Sequence, residues 1–138
     1  MRRAEGRELE RAIGELARVL VSAADEYMRI VRDLVGDERD FAEARRRAAS
    51  LSLVLGSLAA SLAVLAPLIG ELPEDLRPPL GAVLALAAIQ GSCAQIAQAQ
   101  APQKLDGAIL AGAAEVGLIS DGGPVEAWVR RALAVRVA

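Results

Sequence analysis

Between Phe41 and Ile69 the chain carries apolar or small residues at alternating steps of three and four, the heptad spacing of a helix that packs along one side. The residues at this spacing are Phe41, Ala44, Ala48, Leu51, Leu55, Leu58, Leu62, Leu65 and Ile69. Charged side chains stand between them up to Arg47, whereas the segment from Ala48 to Gly70 contains no ionisable side chain. The spacing therefore predicts one continuous packed helix, half of which is apolar on every side.

The composition favours an all-α domain. The chain has 138 residues, enough for one domain, and 54% of them are hydrophobic but only 2% are aromatic. An apolar content made of Ala, Leu, Val and Ile is more typical of helices than of β-sandwiches. The net charge is −2. The absence of Asn and the use of Arg in place of Lys fit a GC-rich genome or a hot habitat.

A long amphipathic helix is predicted to precede this one, from Ala4 to Val35. Its apolar positions again follow steps of three and four, at Leu9, Ile13, Leu16, Leu20, Ala23, Tyr27, Ile30 and Leu34. Gly36 then stands where helices commonly end on a left-handed residue, and Asp37 can cap the next helix. Because this connection is short, the two helices are expected to form an antiparallel hairpin.

The remainder of the chain is predicted to add shorter helices. An acidic, proline-rich break at 71–79 separates them from the hairpin at 1–70. The predicted helices run from Pro79 to Gln100, from Leu105 to Ile119 and from Pro124 to Val137. The sequence therefore predicts a single domain over residues 1–138, an all-α antiparallel helical bundle of four to five helices built on the long helix 1/helix 2 hairpin.

The side chains on which most enzymes depend are scarce. The chain has no His, and it lacks the usual glycine-rich phosphate loops. Cys93, the lone cysteine, is interpreted as a small core residue. The acidic cluster at 71–75 is interpreted as solvated acids that serve as helix N-terminal charges. The Asp-Gly-Gly turn at 121–123 could hold an anion on its backbone N–H groups, but two glycines in a turn are common. We expect a protein that is not an enzyme and has no catalytic residue, cofactor, metal or small-molecule substrate.

Small residues beside the heptad indicate where another helix packs. Ser52, Gly56 and Ala60 recur at every fourth position, next to Leu58 and Leu62, and such a face allows close approach. These five residues are the candidate interaction site. The favoured function is a non-catalytic subunit, a homo-oligomer or a member of a larger assembly. In it the other helices wrap the uncharged half of helix 2, and self-association closes the remaining apolar surface. The charged N-terminus lacks the apolar core of a secretory signal, which favours the cytoplasm.

A second hypothesis embeds the two uncharged helices in a membrane or another lipid environment. Residues 48–70 are long enough to cross a bilayer, and 79–101 form a second uncharged segment. Arg45 to Arg47 precede the first segment, an acidic loop separates the two, and Lys104 follows the second, in agreement with the positive-inside rule. Two hydrophobic helices around a short charged loop also resemble the general layout of conjugation-type pilins, from which the long charged N-terminal helix departs. Four glutamines in the second segment argue against lipid there.

A third hypothesis is a small all-helical, nucleic-acid-binding subunit of a nucleoprotein, either a viral coat or an RNA-guided complex. It rests on arginines in three parts of the chain that the fold would bring together: Arg2, Arg3, Arg45, Arg46, Arg47, Arg130, Arg131 and Arg136. Five of them, Arg45, Arg46, Arg47, Arg130 and Arg131, form the candidate basic patch. The negative net charge and the near absence of aromatic residues for base stacking weigh against this hypothesis.

Overall fold

The computed structural model describes residues 3–34, 36–100, 106–117 and 122–135. They form five α-helices: α1 (Arg3–Leu34), α2 (Glu38–Leu65), α3 (Leu80–Gln98), α4 (Asp106–Gly117) and α5 (Pro124–Leu133). Two 3₁₀ segments, Ala66–Glu71 and Glu74–Leu76, lie between α2 and α3. The described ranges contain no β-strand, and α1 and α2 pack together as the predicted long hairpin, so the all-α bundle is confirmed.

The turn between α1 and α2 has the predicted cap but a different glycine geometry. The Asp37 carboxylate accepts a hydrogen bond from the Asp40 N–H at 2.9 Å, which satisfies a free donor at the start of α2. The prediction of a left-handed Gly36 is wrong, because among the described residues only Gly122 has a positive φ. Gly36 is needed for a close contact instead, since a Cβ there would lie 2.8 Å from the Cβ of Asp40.

The apolar side of α1 faces the core from Leu9 to Leu34. All eight positions predicted for it are buried: Leu9, Ile13, Leu16, Leu20, Ala23, Tyr27, Ile30 and Leu34. Burying each of the large aliphatic side chains contributes about 1.5–3 kcal/mol. The amphipathic pattern of α1 therefore fixes which side of the helix packs.

The heptad series from Phe41 to Ile69, which we call the inner seam, is fully buried only from Ala44 to Leu55, and Phe41 at its start is half-buried. Ala44, Ala48, Leu51 and Leu55 are buried, whereas Leu58, Leu62, Leu65 and Ile69 are half-buried. The reason is that α2 packs against α1 and α3, while α4 and α5 pack against those two helices rather than against α2. The expectation that all the other helices wrap the uncharged half of α2 is therefore wrong.

Helix α2 ends as an α-helix at Leu65, earlier than predicted, and continues as a 3₁₀ helix to Glu71. Pro67 has no N–H to donate to the Ala63 carbonyl, so the α-helical ladder loses a bond at that point. The ends of α3 and α5 also fall a few residues inside the predicted limits. The predicted 71–79 break is less irregular than expected, because it contains a 3₁₀ turn.

This break is a packed element that holds α5. Leu72 and Leu76 are buried within it. The indole N–H of Trp128 donates to the Leu76 carbonyl at 2.9 Å, and Arg131 pairs with Asp75 at 2.7 Å. The C-terminal helix is therefore tied to the connection between α2 and α3.

A buried polar contact connects α4 with α1 and α3. The Tyr27 hydroxyl lies 2.8 Å from Ser92 Oγ of α3 and donates to the Ile109 carbonyl of α4 at 3.3 Å. Gly112 gives the ring its space, because a Cβ there would lie 2.6 Å from the Tyr27 Cζ. Burial raises the pKa of Tyr27 above its ordinary value.

Candidate interaction surface

Large apolar side chains of α2, of the 3₁₀ segment Ala66–Glu71 and of α3 are exposed to solvent. Leu53 and Val64 are each 77% exposed, and Leu80 is 72% exposed. We call these exposed side chains together the apolar face; they are Leu53, Val54 and Val64 of α2, Leu68 of the 3₁₀ segment, and Leu80, Val83 and Leu84 of α3. The most hydrophobic stretch between Glu38 and Glu71 has a mean hydropathy of 2.2, yet only 6% of it is buried. A core helix of a soluble protein would be mostly buried, so the apolar surface of α2 is uncovered in the single chain.

A second heptad series runs along the exposed side of α2, and we call it the outer seam. Its members are Ser50, Leu53, Ser57, Ala60, Val64 and Pro67, and all are exposed. Each follows a residue of the inner seam by two positions, or about 200° around a helix of 3.6 residues per turn. The outer seam therefore lies opposite the inner one. Sequence reasoning missed it, although the same spacing displaced by two residues is visible in the chain.

The five predicted interaction residues have different surroundings. Gly56 faces α3 of the same chain, where a Cβ would lie 3.0 Å from a glutamine amide. Leu58 and Leu62 are half-buried against the core. Ser52 is half-buried as well, whereas Ala60 is exposed. The close helix approach at Gly56 is thus used within the chain, and Ala60 is the one of the five that belongs to the outer seam.

An open apolar groove of about 350 Å³ lies between the end of α2 and the start of α3. Its lining includes Leu62, Ala63, Ile69, Val83, Leu86 and Gln90. Among the described residues that line it, Gln90 contributes the one polar side chain and none is charged. Because Val83 also belongs to the apolar face, the groove extends that face inward between the two helices.

Helix α1 carries charged side chains beside the uncharged half of α2. Leu16 of α1 and Leu62 of α2 line one small cavity, so the middle of α1 lies beside the uncharged half of α2. Glu15 and Arg18 flank Leu16 in the sequence and form a solvent-accessible ion pair. A cross-section through this part of the bundle therefore has one apolar side and one charged side.

The candidate basic patch includes a bridge between the two long helices. Arg47 lies 2.7 Å from a carboxylate oxygen of Glu26 and 3.0 Å from one of Asp33, both on α1. The charge of Arg47 is therefore satisfied inside the hairpin.

The two arginines before it have partners within α2. Arg46 pairs with Glu43, and this charged hydrogen bond lowers the pKa of Glu43 and raises that of Arg46. The guanidinium carbon of Arg45 lies 5.8 Å from the centre of the Phe41 ring, at cation–π distance.

The arginines of α5 lie in another part of the bundle. Arg130 pairs with Glu126 at 2.6 Å, and Arg131 pairs with Asp75. The end of α5 packs at Gly14 of α1, where a Cβ would lie 3.3 Å from a backbone carbonyl of α5. The acids that bind Arg47 follow Gly14 by twelve residues or more, roughly 18 Å along α1. The fold thus leaves the two arginine groups apart, and four of the five arginines are paired with carboxylates.

The remaining polar candidates offer no reactive group. The Gly122 N–H donates to the Glu126 carboxylate, so a carboxylate of the chain itself occupies this donor of the glycine turn. Within the described ranges, no group of three or more acidic or cysteine side chains is arranged to hold a metal ion. Cys93 is buried, and burial with the nearby charge of Glu26 raises its pKa to about 12. Its thiol is therefore protonated near neutral pH and weakly nucleophilic.

Several predicted features fall outside the described side chains. They are Arg2, Arg3, Lys104, Asp121 and Arg136.

Comparison of the chain with protein-family models, with curated proteins and with solved structures gave no match. The observations that bear on function are therefore those of the molecule itself: an all-α bundle with a charged side, an apolar face and an outer seam without a partner.

Proposed function

We propose that the protein is a non-catalytic assembly subunit that associates with itself through the apolar face. The observation that carries this proposal is the exposure of the most hydrophobic part of the chain along α2. Contiguous exposed apolar surface in a folded chain marks an interaction site, because its contact with water is unfavourable. The paired arginines and the buried Cys93 supply no competing site for chemistry.

Protein fits the apolar face better than the interior of a bilayer. The two segments Glu38–Glu71 and Glu74–Gln98 are long and apolar enough to cross a membrane. In this packing, however, Glu15 and Arg18 of α1 lie at the level of the uncharged half of α2. Placing that part of the hairpin in hydrocarbon would take both charges into lipid, which is costly. A bundle with one apolar side and one charged side suits a protein–protein contact, because the charged side stays in water.

Nucleic-acid binding receives less support. Phosphate binding depends on local net positive charge, and neighbouring carboxylates offset the charge of four of the five arginines of the candidate patch. The arginines of α2 and those of α5 also lie beside different parts of α1, so they do not form one patch. A salt-dependent interaction of the purified protein with nucleic acid at low ionic strength would favour this alternative.

Light scattering coupled to size exclusion, with and without detergent, tests the proposal. We expect a particle of at least twice the 14.4 kDa chain mass without detergent. The double variant Leu53→Gln/Val64→Gln should reduce the particle to one chain, because it removes apolar side chains from the contact. The variant should still fold, since both side chains are exposed in the monomer and contribute little to its folding. Met28→Gln, at an exposed apolar residue of α1, is the matched control and should leave the mass unchanged. A wild-type monomer would refute the proposal, and a protein soluble only in detergent would favour the lipid alternative.

A further inference from the structure

We propose that two copies of the chain pair through their outer seams in antiparallel orientation, with a two-fold axis that passes between Leu58 and Ala59. This inference rests on the proposed self-association and specifies its geometry. A two-fold axis makes the same surface serve both partners, so the seam must be complementary to itself. The outer seam meets that condition in the size of its residues, and the charged residues beyond its two ends, Arg46 and Glu71, meet it as well.

The sizes match about the proposed axis. Ser57 of one copy faces Ala60 of the other, so four small side chains meet at the centre and allow the helices to approach closely. One step outward, Leu53 faces Val64, which brings together the two most exposed apolar residues of α2. Both helices cover apolar surface in this way without burying a charge, since none occurs between Arg47 and Glu71.

The charges select the antiparallel orientation. Arg46 and Glu71 stand at equal sequence distance from the axis, and both are exposed. They lie about 19 Å and about 22 Å from it, at 1.5 Å per α-helical and 2.0 Å per 3₁₀ residue. Antiparallel pairing therefore brings each Arg46 to the level of the partner copy's acidic end, whereas parallel pairing would bring like charges together. Arg46 keeps donors for this contact beside its bond to Glu43.

Cross-linking distinguishes the two orientations. In a Cys93→Ala background, chains that carry Leu53→Cys and chains that carry Val64→Cys are mixed and treated with a short bis-maleimide. We expect cross-linked dimers from the mixture and none from Leu53→Cys alone, because two Leu53 residues would be about 16 Å apart along the antiparallel pair. Cross-linking of Leu53→Cys alone would overturn the antiparallel orientation.

Charge reversal tests the ends of the pair. Arg46→Glu and Glu71→Arg should each weaken the dimer about tenfold, and the double variant should return to within about threefold of wild type, as expected for two exposed ion pairs. Failure of the double variant to recover would overturn this register. If light scattering finds a monomer, the proposed function itself fails. If it finds a dimer with the wrong cross-link, only the antiparallel pairing fails.

Discussion

The hydroxyl of Tyr27 in α1 lies 2.8 Å from the hydroxyl of Ser92 in α3, and both residues are buried. The same Tyr27 hydroxyl donates to the Ile109 carbonyl of α4. When it does so, Ser92 donates to the phenol oxygen, so each polar group has a partner. One tyrosine thus connects three helices by hydrogen bonds inside the core.

This connection predicts a coupled pair of mutations. Tyr27→Phe leaves the Ser92 hydroxyl without its tertiary partner and should lower the free energy of unfolding by about 1–2 kcal/mol. Ser92→Ala should do the same from the other side. The double variant should lose less than the sum of the two, as residues in direct contact do. Denaturant unfolding of the four proteins measures the coupling, and strict additivity would contradict the contact.

Two glycines in helices should respond to alanine in opposite directions. Gly112→Ala sets a methyl group against the Tyr27 ring and should cost about 1–3 kcal/mol. Gly91→Ala, in the interior of α3 with nothing within 4 Å of the added carbon, should stabilise the protein by up to about 1 kcal/mol. Thermal unfolding compares the two. Equal effects would mean that α4 does not pack on Tyr27.

The bridge from Arg47 to α1 should matter more than an ion pair within one helix. Arg47→Gln removes the contacts with Glu26 and Asp33 and leaves the two acids without their cation, which should cost about 1 kcal/mol. Arg18→Gln removes an exposed pair with Glu15 of the same helix and should cost under about 0.5 kcal/mol. Chemical unfolding in low salt gives both values, and an equal loss would contradict a bridge between helices.

Because the pKa of the buried Cys93 thiol is raised, we expect the free energy of unfolding to fall at alkaline pH. Burial raises its pKa from 9.0 to about 12, so the folded state resists deprotonation that the unfolded chain allows. The stability is therefore fully present below pH 9 and falls as the pH rises toward 12. Cys93→Ala should show a smaller fall over this range; the part that remains includes Tyr27, whose pKa is raised in the same direction.

A chemical probe gives an independent measurement of the same thiol. In native protein at pH 8, Cys93 should not react with a disulfide reagent, and in denaturant it should react fully. Rapid reaction in the native state would show that the thiol is accessible.

The sequence predicted α1 better than α2, because the two sides of α1 differ clearly in polarity. Charged residues stand between the apolar positions of α1, so the buried side is the one the charges avoid. Beyond Ala48 this contrast disappears, and the inner seam differs from the outer one mainly in side-chain size. The chain thus predicted that α2 is a packed helix but not that Leu53 and Val64 would be exposed.

Contacts between distant parts of the chain were less accessible to prediction. Arg47 and Asp33 both lie near the hairpin turn, where the short connection fixes which residues of the two helices are neighbours. The contact of Arg131 with Asp75 depends on how α5 docks, which no local pattern specifies. For the same reason the arginine-rich segments gave no indication that the fold would keep them apart.

The proposed pairing through the outer seam would make stability depend on protein concentration as well as on the chain itself. In the proposed dimer this surface is covered only while two copies are associated, so unfolding releases two chains from one particle. Mass action then requires the unfolding midpoint to rise with protein concentration. Each tenfold dilution removes about 1.4 kcal/mol per mole of dimer. The proposed dimer would therefore be most stable at high protein concentration and would unfold first at low concentration.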